Sequence, residues 1–109
     1  MSGYVVDKKD CVHHRIFPGV DIYTTTGQQM MLSLVEMQPN AVVEEHSHPH
    51  EQVGLMLAGE ADFTIGGEAL HVTVGQMWKI PGGVLHKVVA GPQGVRALDV
   101  FNPPRADYQ

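Results

Sequence analysis

An all-β fold, a barrel or jelly-roll sandwich, is what this sequence predicts, and three observations predict it. Apolar and polar residues alternate over short runs, the pattern of strands buried on one side. Each run stops at a cluster of turn residues. No stretch repeats its apolar residues at helical spacing. The 12 glycines and 7 prolines among 109 residues supply the turns that such a chain needs.

The elements follow in order. Val20 to Thr25, rich in β-branched and aromatic side chains, runs to Thr26-Gly27, and Met31 to Met37 alternates up to Pro39-Asn40. Ala41 to Glu45 leads into a histidine cluster. Gln52 to Leu57 stops at Ala58-Gly59-Glu60, and Ala61 to Ile65 runs to the hairpin signal Gly66-Gly67. Leu70 to Val74 ends at Gly75, and Met77 to Ile80 ends at Pro81-Gly82-Gly83. Val84 to Val89 ends at Gly91-Pro92, and Val95 to Phe101 precedes Pro103-Pro104. These are about nine short strands, at the spacing of sandwiches and barrels. Any helix belongs at the termini. A single domain over residues 1–109, with its barrel core over about 20–101, accounts for the whole chain, since a chain of this size hides roughly two-thirds of its unfolded surface on folding.

Composition narrows the function. Lys and Arg total 7 against 12 Asp and Glu, a net charge of −5 with His neutral, and no basic run offers the footprint of a nucleic-acid binder. No apolar run approaches the ~20 residues that span a bilayer. Asp7, Lys8, Lys9 and Asp10 occupy the place where a signal peptide needs apolar residues. Cys11 is the single cysteine, which excludes an intrachain disulfide and a Cys-based zinc finger, and a reducing cytoplasm is the expected location.

Seven histidines point to a metal. In His46-Ser47-His48-Pro49-His50-Glu51-Gln52, residues i and i+2 of a strand face one side, so His46 and His48 can share one ion. Pro49 ends that strand, and Gln52 opens the next with a side-chain oxygen for the same ion. Glu51 is the rival fourth ligand, of the wrong strand parity unless a bulge intervenes. Two surface histidines beside a turn are the alternative that this segment alone leaves open. His13, His14 and His71 read as surface residues. His50 reads as an orienting neighbour of the ligands or as an exposed turn residue. Met30, Met31, Met37, Met56, Met77 and Trp78 read as barrel filling.

A second segment, Gly75 to His86, is a strand, a Pro-Gly-Gly corner and a strand carrying a histidine. Together the two segments resemble the cupin superfamily, with motifs Gly-x5-His-x-His-x3-4-Glu-x6-Gly and Gly-x5-Pro-x-Gly-x2-His-x3-Asn. His46, His48, Gln52 and Gly59 fall on the first motif, and Gly75, Pro81, Gly83 and His86 on the second. The resemblance implies a double-stranded β-helix with one divalent transition metal (Ni, Zn, Fe, Mn, Co or Cu) held by His46, His48, Gln52 and His86. Asn40, Gln52 and Ala90 depart from the motifs, standing where Gly, Glu and Asn are usual. With Gln for Glu, three neutral imidazoles and a neutral amide leave the charge of the ion unbalanced, which favours anionic oxygen ligands.

In Asp99-Val100-Phe101-Asn102-Pro103-Pro104-Arg105, Asp99 and Phe101 share a strand face with Ala97, while Leu98 and Val100 take the other, which their apolar character predicts to be covered as well. Arg105 can reach over a barrel mouth and bind a carboxylate in bidentate fashion. A surface Asp, a core Phe and a solvated Arg on an edge strand are the open alternative. The tail and the run His46 to Gln52 are similar to the pectin-degradation cupins that linearise 4,5-unsaturated uronates. That resemblance implies a small anionic substrate, with Asp99 and Arg105 as catalytic residues and Phe101 and Arg105 contacting substrate. The same metal set also suits an Fe- or Cu-dependent dioxygenase, or a non-catalytic sugar-binding module. Barrels of this size commonly pair as homodimers, which protects edge strands.

Overall fold

The computed structural model describes residues 3–109. Eight strands form one hydrogen-bonded system: β1 (Val12–Phe17), β2 (Val20–Thr26), β3 (Met31–Met37), β4 (Val42–His46), β5 (Glu51–Ile65), β6 (Glu68–Val72), β7 (Met77–Ile80) and β8 (His86–Asn102). Short 3-10 turns cover Lys8–Asp10 and Ala106–Tyr108. Among the described residues no helix is long and apolar enough to cross a membrane.

β5 and β8 organise the rest. Their first and last halves pair with each other in antiparallel register, Gln52 opposite Phe101 and Ile65 opposite His86. One half of β8 also pairs with β3 and the other with β4, while β5 pairs with β7 at its start and β6 at its end. Two faces therefore share the same two long strands, and the core lies between them. Val20, Met37, Met56, Phe63, Trp78 and Ile80 fill it.

Several sequence expectations change here. Ala58-Gly59-Glu60 and Gly91-Pro92 do not end strands; they bend two continuous ones. The ladder shifts register at Met56/Ala58 and Gly59/Ala61 and then resumes. Gly59 has φ +80, and a side chain there would overlap the Gly94 carbonyl oxygen, so the glycine permits a crossing rather than a turn. Gly66 and Gly67, with φ 56 and 81, do make the expected hairpin turn. Val12–Phe17, not anticipated as a strand, pairs with β2. Met31, Met37, Met56 and Trp78 are buried as expected, but Met30 and Met77 are 53% and 76% exposed, on faces the core does not reach. Leu98 and Val100 are only half-buried, beside exposed Leu32 and Val53, so the outer face of β8 is left partly uncovered.

Candidate metal centre

β4 and β8 pair so that His46 stands opposite His86. The strand ends at His46, earlier than the sequence implies, and His48 sits in the loop that follows. Gly83 N–H donates to the His48 carbonyl at 2.8 Å, and a side chain at Gly82 would collide with the Pro49 carbonyl oxygen. The Pro-Gly-Gly corner is thus packed against the His-Pro-His loop and fixes His48. Ring centroids lie 4.3 Å apart for His46 and His86, 5.0 Å for His48 and His86, and 5.5 Å for His46 and His48.

Each imidazole is oriented by a backbone carbonyl. Nδ1 of His46 donates to Glu44 at 2.8 Å, Nδ1 of His48 to His50 at 3.1 Å, and Nδ1 of His86 to Val84 at 2.9 Å. A carbonyl only accepts, so Nδ1 carries a proton, and in the neutral tautomer this leaves Nε2 with the lone pair. One ligand nitrogen from each of the three lies within 4.8 Å of the others. His86 Nε2 is buried with no hydrogen-bond partner. Burial pushes His48 down to about 4, helped by Arg105 and His86, and lowers His86 as well, so both stay neutral near pH 7.

Gln52 is buried and Glu51 exposed, as strand parity requires. Gln52 Oε1 lies 3.0 Å from His48 Nε2, an acceptor facing an acceptor. Asp99, on the other side of Gln52, attracts the NH2 end of that amide and keeps the oxygen toward the histidines. Converging lone pairs, an orphaned Nε2 and the approach of two acceptors are what a divalent cation would satisfy, and the donor set of nitrogen with one oxygen suits a transition metal.

Asp99 and Arg105 are each 8% exposed, and β8 is flanked by β3 and β5, which removes the surface-Asp, solvated-Arg alternative. Asp99 Oδ1 accepts from Trp78 Nε1 at 2.8 Å. Burial raises the Asp99 carboxyl to about 6 against the pull of Trp78, Gln52 and Arg105. Arg105 lies over the rings of Tyr108 and Phe101, at 3.9 and 5.1 Å, and donates to Asp107 through Nε and Nη2 at 3.3 and 3.0 Å. Tyr108 carbonyl accepts from Thr24 Oγ1 at 2.8 Å and pins the tail. The hollow that Gln52, Trp78, Asp99, Arg105 and Tyr108 line, with His46, His86 and Phe101, encloses a cavity of ≈ 60 Å³.

The His50 side chain is half-buried with Nδ1 unpartnered; its backbone carbonyl, not its ring, orients His48. His71 is exposed as expected, bound to Asp62 at 2.8 Å, and His13 is exposed and stacked on Tyr23. His14 is half-buried beside Tyr108 rather than on the surface. Trp78 and Tyr108 were missed as site residues. Gly54 is the trace that Trp78 left in the sequence, because a side chain at Gly54 would overlap the indole.

Comparison with known proteins agrees with this geometry. The pectin degradation protein KdgF of Dickeya dadantii is 28% identical over 85 residues, 77% of each chain. A dimethylsulfoniopropionate lyase, DddW of Ruegeria pomeroyi, is 33% identical over 69 residues, 63% of this chain and 45% of that one. The structure of KdgF from a Halomonas species superposes with a TM-score of 0.88 at 23% identity, covering 99% of this chain and 100% of that one, which is a likeness of fold. The profile of the cupin domain matches residues 33–101, more than half of the sequence and all of the lone-pair cluster, so the chain belongs to the cupin domain family.

Proposed function

We propose that this cupin is a metal-dependent enzyme that opens the ring of a 4,5-unsaturated uronate to its linear keto form. The observation that carries the reading is a buried carboxyl, Asp99, lining the same hollow as His46, His86 and a buried arginine. The KdgF relative supports the choice of substrate class. Bound by His46, His48, His86 and Gln52, a divalent transition metal would supply Lewis acidity toward sugar oxygens.

The chain's own residues account for the remainder. In the net reaction the ring C1–O bond breaks, the anomeric hydroxyl gives up its proton to become an aldehyde, and C4 gains a proton as the C5 enol becomes a ketone. One group that takes and returns a proton is sufficient, and Asp99, buried in the hollow, is placed to do both. Arg105, stacked between Phe101 and Tyr108, anchors the substrate carboxylate. Phe101, whose ring also meets His48 edge-on, packs against the sugar face.

The test is loss of the ultraviolet absorbance of the conjugated enol ether when metal-loaded protein meets 4,5-unsaturated galacturonate. Asp99→Asn is expected to keep its fold and lose about 10²–10⁴ of the rate; full-rate turnover by that variant removes Asp99 from the reaction. The lyase relative favours a second reading, proton abstraction beside a carboxylate with loss of a leaving group, for which Asp99 is the base and Arg105 the anchor. Dimethyl sulfide release from dimethylsulfoniopropionate, with no uronate turnover, would select it.

A further inference from the structure

The inner wall of the hollow is crossed by one polar row. Antiparallel register aligns Thr24 of β2, Ser33 of β3, Asp99 of β8, Gly54 of β5 and Trp78 of β7. Thr24 donates to the Tyr108 carbonyl and Trp78 to Asp99. Ser33 does neither. It is 1% exposed, lines the hollow, and its Oγ has no hydrogen-bond partner. Its neighbours on the inward side of β3 are Met31, Val35 and Met37, so an apolar residue would pack there without leaving a buried hydroxyl unpaired. The row of Phe101 and Gln52 is two residues nearer Arg105, a step of about 7 Å along a strand.

We propose that Ser33 is a specificity-determining residue, whose hydroxyl binds a ligand hydroxyl deep in the barrel while the carboxylate of that ligand is held at Arg105. The ligand is then a hydroxylated carboxylic acid, and an analogue lacking the facing hydroxyl leaves Ser33 unpaired and is rejected. The carboxylate anchor at Arg105 and the choice of a uronate as probe rest on the function proposed above.

The experiment uses Ser33→Ala in two arms. In melting of the ligand-free protein, removal of an unpaired buried hydroxyl is expected to raise Tm by about 4 °C. A hydroxyl with a structural role gives a fall in Tm, which overturns the proposal. In calorimetry with galacturonate and its monodeoxy analogues, the wild type is expected to prefer galacturonate over one analogue by about tenfold, and Ser33→Ala to bind the two alike. For unsaturated galacturonate the loss is expected in KM, with kcat little changed. Discrimination that survives in Ser33→Ala also overturns it. If the wild type neither binds nor turns over uronates, the uronate reading fails by itself, and the melting arm still decides Ser33.

Discussion

Gly54→Ala is the sharpest single perturbation of the site, although Gly54 carries no chemistry. Its added Cβ would overlap Cε2 and Nε1 of Trp78, the ring edge that donates to Asp99. Neither neighbour yields easily: Trp78 is 7% exposed and packed on Phe63 at 4.7 Å. Forcing a methyl into a close-packed core costs about 1–3 kcal/mol. Moving the indole away leaves a buried carboxyl without its donor, another 1–3 kcal/mol or so. For a chain of this length the sum, about 2–6 kcal/mol, lowers Tm by about 10–25 °C. Trp78 is the single tryptophan, so its fluorescence reports the displacement without interference. Trp78→Phe removes the same bond without the overlap, and the double variant is expected to be less destabilised than the sum of the two. A Gly54→Ala protein with unchanged emission and unchanged Tm would refute the contact on which the placement of Asp99 depends.

Two further outcomes test other parts of the molecule. Nickel or zinc at a hundredfold excess over Kd is expected to raise Tm by about 12 °C, the effect of ~2.7 kcal/mol of linkage, and His86→Ala is expected to abolish the shift; an undiminished shift in that variant places the ion elsewhere. His71, hydrogen-bonded to Asp62 and 3.5 Å from Glu60, is raised above its ordinary value chiefly by the Asp62 bond. The small stabilisation of that exposed pair is therefore full below the unfolded value and fades as pH rises through the folded one. Proton NMR should show the His71 titration moving downward in Asp62→Asn, and an unmoved titration rejects the pairing.

Parts of the site were legible in the sequence because they are local. His46, His48 and Gln52 lie within seven residues of chain, and strand parity alone ranks Gln52 over Glu51; of the two, Gln52 is the one that is buried. The motif resemblance supplied His86, which reaches the others only through pairing of β4 with β8. Gly59, Gly91 and Pro92 misled, since the same residue types that end short strands also let long ones bend and cross. β1 escaped notice because Val12–Phe17 buries little; its pairing with β2, not its own pattern, makes it a strand.

What was least legible is which inward residues meet. Alternation predicts a side, and on that side Ser33, Gln52 and Asp99 interrupt otherwise apolar or small rows of β3, β5 and β8. Taken singly, each interruption is weak, because a buried polar residue can satisfy itself locally. Register makes them informative: Ser33 faces Asp99 directly, and Gln52 stands one row away, across from Phe101. Three breaks in pattern on adjoining strands, sharing one hollow, cost the core stability that hydrophobic residues would have given it. Trp78 and Gln52 offset that cost for Asp99 within the chain, whereas the Ser33 hydroxyl has no partner among the described residues, so of the three interruptions it is the one whose cost the protein alone leaves standing.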